Sequence, residues 1–388
     1  MVGCRLCRHS SCRGLPIYSW NHDQWVGTIM APYGLPSAYD VRNAAVVLAP
    51  VVHRTPIRTS PTLTRMVNQN ILSSTRQPSP SQVELHFKCE NLQHTGSFKF
   101  RGACHFLAKL DDQDLRNGVV AYSTGNHAQA VAHAAQLASK ARSMHIPSYV
   151  VVPSDCPPKK IAATRSHGAS VLLSRTDPNS RVRLAEHVQR ATGSILVPPA
   201  DHLDIVLGQA TAVQEFLQQA SQAGSPLDAI IVPSGGGGLL CGAIAACKPH
   251  GVAVFACEPA VGGPGLASAM AVGRRTLEIR GPGSIADGLR SLTGEANWEH
   301  VRAEGNVRQV LTVSEVQIGE ALKVGVRELG FAIEPSAAVP LAAALFSDAF
   351  HGWARGANGR VKVGVVLTGG NVCMEDLAAL VPGFEMVA

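Results

Sequence analysis

Short apolar runs and amphipathic segments alternate along most of the chain. The runs at 118–123, 148–153 and 170–174 are predominantly apolar, and each ends at a polar turn. The segments 128–138 and 180–192 instead repeat apolar residues at the spacing of a helix. Because continuously apolar strands are buried on both faces, this alternation predicts parallel sheets that are covered by helices.

The same reasoning predicts elements on both sides of this stretch. From Tyr39 onward, apolar residues recur at helical spacing, which indicates a helix. Apolar and polar residues alternate in 83–90, which predicts an alternating strand. Further buried strands are predicted at 228–238, 252–259 and 361–371. In parallel sheets, ligands bind at the carboxyl ends of the strands, and the unusual motifs of this chain follow predicted strands.

Length and composition fit an α/β protein of two domains. The chain has 388 residues, of which 46% are hydrophobic and 16% charged, as is typical of a globular protein with a large core. We predict a large domain formed by residues 38–117 and 201–388, and a small mobile domain formed by residues 118–200. Residues 1–37 are predicted to be a disordered N-terminal tail.

The predicted tail contains a cysteine cluster. Cys4 and Cys7 form a C-x-x-C pair, and His9 and Cys12 follow closely, so a zinc site is one interpretation. A disordered leader is the favoured interpretation, because no hydrophobic core residues surround the cluster. Arginines precede the first acidic residue, which also fits a weak mitochondrial presequence. The leader lacks a clear amphipathic period, so a cytoplasmic location is expected.

Charge and hydropathy exclude several classes of function. The net charge is +6, but no cluster of lysine and arginine is dense enough for nucleic-acid binding, and aromatic residues make up only 5%. No apolar run reaches the length of a membrane span, since the longest, 44–52, is broken by Pro50. The 10 cysteines are scattered, as is typical of a reduced intracellular protein. We therefore expect neither a nucleic-acid partner nor a membrane partner.

A run of glycines carries the strongest chemical signal. Residues 235–238 are consecutive glycines that follow a predicted strand and precede an apolar helix. Their N–H groups can converge on one anion at the positive end of the helix, which favours phosphate. The run is not a P-loop, because no Gly-Lys-Ser/Thr follows, and it lacks the third glycine of a dinucleotide fingerprint. Tight packing is the alternative interpretation.

Two further motifs follow predicted strands. Residues 123–126, Ser-Thr-Gly-Asn, could hold a carboxylate at the start of a helix. Asn126 could equally be an ordinary cap of that helix. Thr368, in the segment LTGGN, could offer its hydroxyl to a ring nitrogen, although a plain turn is favoured for this segment taken alone.

Lys99 has an unusual setting for a lysine. It lies between Phe98 and Phe100, directly after a Thr-Gly-Ser turn. Burial among aromatic residues lowers the pKa of a lysine and exposes the neutral amine that is needed for attack. Next to a phosphate site, such an amine suggests a Schiff base with pyridoxal phosphate.

Six segments occur in the order of one enzyme family: TGSFKFRGA, STGNHAQ, SGGGGL, ADGL, EPSAA and TGGN. Over residues 39–371, the chain resembles the fold-type II pyridoxal phosphate enzymes, in particular the branch of threonine and serine dehydratases and serine racemases. The resemblance implies an α/β fold like that of the tryptophan synthase β subunit, with two parallel-sheet domains and the active site between them. It also implies pyridoxal phosphate as cofactor, an amino acid as small-molecule substrate and a homodimer.

The resemblance implies roles for the residues around the cofactor. Lys99 would carry the cofactor and move the α-proton of the substrate, and Phe98 would pack near the cofactor ring. Asn126 would bind the phenolic oxygen, and Thr368 would meet the pyridine nitrogen. The phosphate would be held by Gly235, Gly236, Gly237, Gly238 and Leu239.

The resemblance also implies two groups of residues around the substrate. The substrate carboxylate would be bound by Ser123, Thr124, Gly125, Asn126 and His127. The hydroxyl end of the substrate would be lined by Asp287, Gly288 and Glu334. A helix cap ahead of Pro335 is the alternative interpretation of Glu334.

The motifs indicate the reaction less specifically than the family. A hydroxyl at the pyridine nitrogen does not keep the ring protonated as a carboxylate would, so loss of a β-leaving group is favoured. We therefore expect an ammonia-lyase that converts a serine- or threonine-type β-hydroxy amino acid to a 2-oxo acid and ammonia. A racemase of the same branch is the runner-up, because Thr124 stands where the dehydratases carry alanine and the racemases carry a catalytic serine.

Two departures from the family pattern concern metal binding and control. The divalent metal site of this branch pairs a glutamate matching Glu258 with an aspartate at the position of Pro264. Magnesium and calcium require oxygen ligands, so no metal site is expected. Few residues follow Asn371, so the regulatory domain of the biosynthetic threonine dehydratases is not expected.

Two hypotheses of other classes stay open at this point. The fold could bind the cofactor without turnover, or the glycines could bind a phosphate ligand unrelated to pyridoxal. Release of 2-oxo acid from a panel of amino acids tests the first hypothesis, and loss of cofactor colour in Lys99→Ala tests the second.

Overall fold

The structure is a computed structural model that describes residues 33–73 and 82–384, so the cysteine cluster of the predicted tail lies outside the described residues. The strands are β1 (Ile57–Thr59), β2 (Gln82–Cys89), β3 (Val119–Tyr122), β4 (Ser148–Pro153), β5 (Ser170–Ser174), β6 (Ile195–Leu196), β7 (Ala229–Pro233), β8 (Ala253–Pro259), β9 (Gln309–Val313) and β10 (Arg360–Leu367). The α-helices are α1 (Ala38–Leu48), α2 (Pro61–Ser73), α3 (Lys99–Lys109), α4 (Asp112–Arg116), α5 (Asn126–Ala141), α6 (Pro158–Ser166), α7 (Pro178–Thr192), α8 (Leu203–Gln222), α9 (Gly238–Cys247), α10 (Leu266–Val272), α11 (Glu295–Val301), α12 (Glu315–Leu329), α13 (Pro335–Phe346), α14 (Asp348–Arg355) and α15 (Met374–Leu380).

The larger sheet has six strands in the order β1-β2-β10-β7-β8-β9. β1 runs antiparallel to β2, and the other neighbouring pairs are parallel. β7 is buried along its whole length, as its continuous apolar run predicts. Ala229 and Ile231 pack into one core cluster, whereas Ile230 and Val232 pack into another on the opposite face. The larger sheet is therefore covered by helices on both faces.

The smaller sheet has four strands in the order β5-β4-β3-β6, and its neighbouring pairs are all parallel. Strands and helices alternate along the chain in this part, from β3 through α5, β4, α6, β5 and α7 to β6. Ala128 of α5 packs with Val150 on one face, and Ala185 of α7 packs with Val151 on the other. The predicted α/β fold with two parallel sheets is thereby confirmed.

β2 differs from the alternating strand that its sequence predicted. An alternating pattern is typical of a strand with one face in solvent, but β2 lies between β1 and β10 and is buried on both faces over most of its length. His86 is 5% exposed and Lys88 is fully buried. A buried charge needs partners within the fold, so other elements have to match the polar side chains of β2.

The helix predicted from Tyr39 onward is α1. Ser37 caps it, since its hydroxyl accepts a hydrogen bond from the Asp40 N–H while the Asp40 carboxylate accepts one from the Ser37 N–H. Val41 and Ala44 face inward and pack with residues of α8. The capped helix therefore attaches the start of the described chain to the rest of the fold.

α8 is a 20-residue helix that packs between other helices of the larger part of the fold. Gly208 allows close packing, because a Cβ there would lie 2.6 Å from the Arg101 carbonyl oxygen of α3. Gly242 of α9 approaches α8 equally closely, since its Cβ would lie 2.7 Å from the Ala210 nitrogen. Small residues thus bring α3 and α9 close to α8. Within the described ranges, neither α8 nor another helix is long and apolar enough to cross a membrane.

Candidate active site

The segments that the sequence marks as unusual meet between the two sheets. Each follows a strand, since 123–125 come after β3, 234–237 after β7 and 368–371 after β10. Asn371 Nδ2 donates to Asn126 Oδ1 at 2.7 Å, which joins the end of β10 to the start of α5. The loops at the carboxyl ends of parallel strands lie at the same edge of a sheet. In α/β proteins, ligands bind at this edge.

Lys99 is the first residue of α3, and its side chain is half-buried. Its Nζ donates to the Pro199 carbonyl oxygen at 2.6 Å and lies 5.3 Å from the centre of the Phe98 ring. Burial lowers the pKa of Lys99 to about 8, although the charge of Glu334 acts in the opposite direction. An amine with this pKa is neutral in a large fraction of molecules near pH 8, as nucleophilic attack requires.

The turn before Lys99 is fixed to the end of β10. Thr95 has φ of 56° and Gly96 has φ of 69°, so both adopt the left-handed conformation. A Cβ at Gly96 would collide with the side chain of Asn371. The Phe98 N–H donates to the Thr368 carbonyl oxygen at 3.1 Å. Glycine is therefore required at position 96, and the lysine side chain starts from a backbone that β10 holds in place.

Glu334 and two asparagines form a chain of hydrogen bonds. Asn126 Nδ2 lies 2.9 Å and 3.0 Å from the two carboxylate oxygens of Glu334. Asn371 Nδ2 donates to Asn126 Oδ1 and also, at 2.7 Å, to the Thr95 carbonyl oxygen. The chain therefore connects α5, the start of α13 and the turn that presents Lys99.

The Glu334 carboxyl group is buried, with 7% of the residue exposed. Burial raises its pKa to about 7, although the hydrogen bond from Asn126 lowers it. Glu334 stands at the cap position of α13, but among the described residues its side chain makes no capping hydrogen bond. Glu334 is therefore the N-cap residue of α13 through its backbone, as the alternative interpretation expects, while its carboxyl group bonds to Asn126 instead of capping the helix. A carboxyl group with a pKa near 7 can give or take a proton at physiological pH.

The glycine loop lies between the end of β7 and the start of α9. Gly237 has φ of 90° and directly precedes the helix, so the loop ends in a left-handed residue at a helix N-terminus. A Cβ on Gly236 would lie 2.6 Å from Ala200 Cβ, and one on Gly238 would lie 2.8 Å from the Ala200 carbonyl oxygen. The side chain of Leu239 packs into the core, so only its backbone N–H could contribute to a phosphate site in this loop. This arrangement is typical of phosphate binding.

Asn297 holds the glycine loop in place, although it is not among the site residues that the sequence predicts. Its Nδ2 donates to the Gly236 carbonyl oxygen at 2.8 Å, and its backbone N–H donates to Asp201 Oδ1 at 2.9 Å. The Tyr33 hydroxyl donates to Asn297 Oδ1 at 2.5 Å, so a residue of the predicted tail also contacts this cluster. Asn297 lies on α11, far from the glycines in sequence, and no motif marks it.

The predicted carboxylate loop leads into α5. Ser123 Oγ accepts a hydrogen bond from the Gly125 N–H at 3.3 Å, and a Cβ on Gly125 would meet open space. Thr124 is half-buried beside them. His127 Nε2 pairs with the Val197 carbonyl oxygen at 2.9 Å, and burial lowers its pKa to about 3. The imidazole is therefore neutral, and the backbone and hydroxyl groups of the loop are what a carboxylate can bind.

Asp287 and Gly288 lie near Glu334, and Gly288 also borders the glycine loop, since a Cβ on Gly235 would lie 3.4 Å from the Gly288 carbonyl oxygen. Asp287 Oδ2 pairs with Lys160 Nζ at 3.1 Å, and the Gly288 N–H donates to Ser336 Oγ at 3.0 Å. The charge of Asp287 raises the pKa of Glu334, and that of Lys160 lowers it. Lys160 belongs to α6, so its pair with Asp287 bridges the cleft between the two sheets.

Three buried hydroxyls around Lys99 and the glycine loop have no hydrogen-bond partner within the described part of the chain: Thr95, Ser97 and Ser234. Buried polar atoms are normally paired, so these hydroxyls mark a place for a polar ligand. The amine of Lys99 suits an aldehyde, and the glycine loop suits a phosphate. The residues present therefore fit pyridoxal phosphate.

The glycine loop gives a prediction about cofactor affinity. Replacing both Gly236 and Gly238 with alanine would push the loop away from Ala200, because the added methyl groups would lie closer than 3 Å to it. We expect the double variant to bind pyridoxal phosphate about 10- to 100-fold more weakly, which equilibrium dialysis measures. Gly352→Ala on α14 is the control, since a Cβ there has room. Unchanged affinity in the double variant would show that the glycines serve packing alone.

Glu258 does not have the environment of a metal ligand. Its Oε2 accepts the Leu266 N–H at 2.8 Å and its Oε1 accepts the Ala267 N–H at 2.7 Å, so both oxygens cap the start of α10. Pro264 supplies no carboxylate where the metal site of the branch has one. Among the described residues, no group of three metal-ligating side chains converges. The residues present therefore do not fit the divalent site of that branch.

We expect magnesium and calcium to leave the activity nearly unchanged. Both Glu258 oxygens already accept backbone N–H groups, and Pro264 offers no second carboxylate, so a cation would find too few oxygen ligands at this place. Rates measured after treatment with a chelator, and again after adding either ion, should agree within about twofold, a difference of less than about 0.5 kcal/mol. Activity that is lost with the chelator and restored by one ion would contradict this expectation.

Comparison with known proteins agrees with this arrangement. Residues 49–369 match the family model of the pyridoxal-phosphate dependent enzymes. The chain is 34% identical over 355 residues to the L-threo-3-hydroxyaspartate ammonia-lyase of Saccharomyces cerevisiae, covering 90% of this chain and 98% of that protein. It is 36% identical over 347 residues to the serine racemase of Arabidopsis thaliana, covering 89% and 95%. The solved structure of maize serine racemase aligns with a TM-score of 0.78 at 34% identity, covering 89% and 97%.

Proposed function

We propose that this chain, which belongs to the family of pyridoxal-phosphate-dependent enzymes, is an ammonia-lyase that acts on a β-hydroxy amino acid. Its reaction is the α,β-elimination of water, and its products are a 2-oxo acid and ammonia. The similarity to an L-threo-3-hydroxyaspartate ammonia-lyase supports this class of substrate. The observation that carries the proposal is the buried carboxyl group of Glu334, with a pKa raised to about 7 by burial, beside Lys99.

Lys99 is the residue that we assign to the α-carbon. Bound pyridoxal phosphate withdraws electrons from the α-carbon of an amino acid and so acidifies its hydrogen. The Lys99 amine, whose pKa burial lowers to about 8, can accept that proton. The Lys99 amine donates a hydrogen bond to the Pro199 carbonyl oxygen. This bond orients the amine, and because the carbonyl group carries no charge, it forms no ion pair with the lysine.

Glu334 is the residue that we assign to the leaving hydroxyl. Elimination breaks the Cβ–O bond, and hydroxide leaves easily only when it receives a proton and departs as water. Protonated Glu334 supplies that proton, and Asn126 orients the carboxyl group by donating to its oxygens. The enamine that is released then hydrolyses to the 2-oxo acid and ammonia. Racemisation changes only the α-carbon and needs no acid at Cβ, so Glu334 has a role in elimination; the segment EPSAA that contains it belongs to dehydratases and racemases alike, so Glu334 does not by itself decide between the two reactions.

We propose that the cleft between the two sheets closes when the substrate binds. We propose that residues 118–200 move as the small domain and that residues 38–117 with 201–388 form the large one. The pair between Lys160 and Asp287 spans the cleft and would form on closure. Both side chains are partly exposed, so the pair contributes little energy and can break in each cycle. Closure would bring the loop at 123–126 onto the substrate carboxylate.

A substrate panel tests the proposed reaction. The purified holoenzyme is given both enantiomers of serine, threonine and 3-hydroxyaspartate, and the 2-oxo acid, ammonia and remaining enantiomers are measured together. We expect 2-oxo acid and ammonia in equal amounts from at least one β-hydroxy amino acid. Recovery of racemised substrate without 2-oxo acid would instead indicate that the chain is a racemase. The similarity to serine racemases supports that alternative hypothesis. Spectral evidence of substrate binding without any product would favour a protein that binds without turnover.

Substitutions of Thr124 distinguish elimination from racemisation. Racemisation needs a second acid on the face of the cofactor opposite Lys99, and Thr124 is the hydroxyl that the family resemblance places there. Its methyl group restricts χ1 more than a serine would, so we expect racemisation to be minor. Thr124→Ala should keep most of the elimination, whereas Thr124→Ser should increase racemisation if it changes it at all. Chiral chromatography of the reaction mixture measures both.

The opposite result for Thr124 is equally specific. If the wild-type protein converts L-serine mainly to D-serine and Thr124→Ala stops this conversion, the chain is a racemase. Loss of elimination in Thr124→Ala with unchanged cofactor absorbance would give the Thr124 hydroxyl a role in elimination that we do not assign.

The remaining expectations belong to the same proposal. We propose that the protein works as a homodimer in the cytoplasm and that its partners are small amino acids. Light scattering of the purified protein tests the dimer, and fractionation of cells tests the location. Recovery in the mitochondrial fraction would assign the arginine-containing N-terminus to import.

A further inference from the structure

Four charged side chains lie together beneath the start of α3: Lys88, Glu90 and Arg101, which are buried, and Glu215, which is half-buried. Arg101 donates to both oxygens of Glu90, with Nε and Nη2 each at 2.8 Å. It also donates to both oxygens of Glu215 at 3.3 Å. Lys88 Nζ lies 2.5 Å from Glu215 Oε1. Two cations and two anions thus form one buried network, in which Arg101 occupies the centre.

The network is balanced in charge and tightly bonded. Lys88 and Glu90 are fully buried, and Arg101 is 1% exposed. Burial raises the pKa of Glu90, but Arg101, Lys88 and the hydrogen bond from Thr55 together outweigh burial and bring the pKa below its usual value. The Thr55 hydroxyl donates to Glu90 Oε1 at 2.6 Å, and the Thr55 carbonyl oxygen accepts from Lys88 at 2.8 Å. Each charge is therefore compensated by an opposite charge and by hydrogen bonds.

Arg101 ties α3 to three other parts of the fold. Glu90 follows β2, Glu215 belongs to α8, and the His53 carbonyl oxygen, which accepts from Arg101 Nη2 at 3.2 Å, belongs to the loop after α1. Arg101 lies two residues after Lys99, so it belongs to the same first turn of α3. A shift of Arg101 would therefore shift Lys99 with it.

The chain that leads into the first turn of α3 is also attached to the residues that follow β10. Phe98 stands at the cap position of this helix, and within the described residues it makes no side-chain capping bond. The Phe98 N–H donates to the Thr368 carbonyl oxygen and the Gly370 N–H donates to the Gly96 carbonyl oxygen, so these bonds hold the turn against the end of β10. An uncapped helix end is the part of a helix that frays most easily. The contacts of Arg101 are a second, independent set of attachments at this end of α3.

We propose that Arg101 is a positioning residue. Through its bonds to Glu90 and Glu215, it fixes the position and direction of the Lys99 side chain in the active site. It touches neither the cofactor nor the substrate, and it acts by holding the backbone from which Lys99 projects. The proposal rests on the assignment of Lys99 to the cofactor. A displacement of about 1 Å at a reacting group can slow a reaction about 100-fold, so a purely mechanical role has a large effect on rate.

The alternative role of the network is stability alone. Removing one member of a buried charge network leaves its partner unpaired, so any substitution here lowers the melting temperature. A comparison with a variant that is destabilised elsewhere separates the two roles. Phe350→Leu is suitable, because Phe350 is fully buried against Phe255 and Trp353 in a core cluster beside the larger sheet.

The experiment uses the holoenzymes of Arg101→Met, Arg101→Lys and Phe350→Leu. It measures the melting temperature, kcat and KM, and the pH midpoint of the cofactor absorbance. We expect Arg101→Met to lower kcat at least about 10-fold and to shift the pH midpoint, with a smaller change in KM. Arg101→Lys should recover part of kcat, because a lysine can still reach one acid. Phe350→Leu should lower the melting temperature and leave the other quantities within about twofold.

The result that overturns the proposal is an Arg101→Met enzyme that melts lower but keeps kcat and the pH midpoint of the wild type. If Arg101→Met does not fold, Glu215→Gln takes its place, since it retains the pair between Arg101 and Glu90. Glu215→Gln should then lower kcat and shift the same midpoint, and wild-type values would reject the proposal. The absorbance measurement needs no turnover, so it also decides this question if the proposed elimination is absent.

Discussion

Lys99→Ala is expected to abolish turnover and to remove the visible absorbance of the bound cofactor. Lys99 projects from the first turn of α3, and burial lowers its pKa to about 8, which makes its amine both a nucleophile and a base. Removing a proton-transferring group alone costs about 10²- to 10⁴-fold, and here the attachment of the cofactor is lost as well. We therefore expect a loss of at least about 10⁴-fold in kcat/KM, measured as release of 2-oxo acid.

The matched control for Lys99→Ala is Lys109→Ala. Lys109 is the last residue of the same helix and is exposed, so its removal leaves the cleft unchanged. Lys109→Ala should retain wild-type absorbance and rate. Turnover with visible cofactor absorbance in Lys99→Ala would disprove the assignment of the central lysine.

Glu334→Gln is expected to lose activity and gain stability at once. The amide cannot give a proton to the leaving hydroxyl, so we expect kcat to fall about 10²- to 10⁴-fold. The amide can still accept a hydrogen bond from Asn126, so the surrounding chain of hydrogen bonds is largely kept. The cofactor absorbance should be retained, because Lys99 is unchanged.

The gain in stability follows from the pKa of Glu334. Burial raises this pKa from 4.5 to about 7, so the folded protein holds the proton more tightly than the unfolded chain. The stability that this carboxyl group contributes is therefore complete below pH 4.5 and is lost as the pH rises through 7. Each pKa unit corresponds to about 1.4 kcal/mol, so a rise of the pKa from 4.5 to about 7 costs at most about 3.5 kcal/mol at pH 8.

Glutamine has no charge to bury, so Glu334→Gln should unfold at higher urea concentration than the wild type at pH 8. At pH 5 the difference between the two should be much smaller, because Glu334 is then mostly protonated in the folded state. The comparison is made on the cofactor-free proteins, to exclude stabilisation by ligand binding. A variant that keeps full activity, or that is less stable at pH 8, would contradict the role of Glu334 as a buried acid.

The strands were the most predictable part of the fold. Apolar runs predicted β4 at 148–153 and β5 at 170–174, and the structure places both strands at these residues. Such runs are readable because a strand covered on both faces needs apolar side chains along its whole length. The alternating pattern of β2 did not predict that the strand is buried on both faces. In a sequence, polar residues inside a sheet look the same as polar residues on its surface.

The site was predictable wherever backbone geometry restricts the choice of residue. The turn before Lys99 needs Gly96, and the loop before α9 needs Gly237 with its positive φ. Glycine requirements of this kind leave a motif in the sequence. Asn297 left none, because one asparagine that bonds to a backbone carbonyl can come from any element that packs nearby.

The sequence by itself determined the α/β class, the family, the cofactor and the lysine expected to carry it, because each depends on a local pattern. The tertiary structure alone decided which charges face one another. It placed Glu334 in a buried position where its pKa rises to about 7, and it surrounded Arg101 with one acid that follows β2 and one that belongs to α8. Electrostatic energies depend on distance and burial, and residues far apart in the chain set both, so no local pattern reports them.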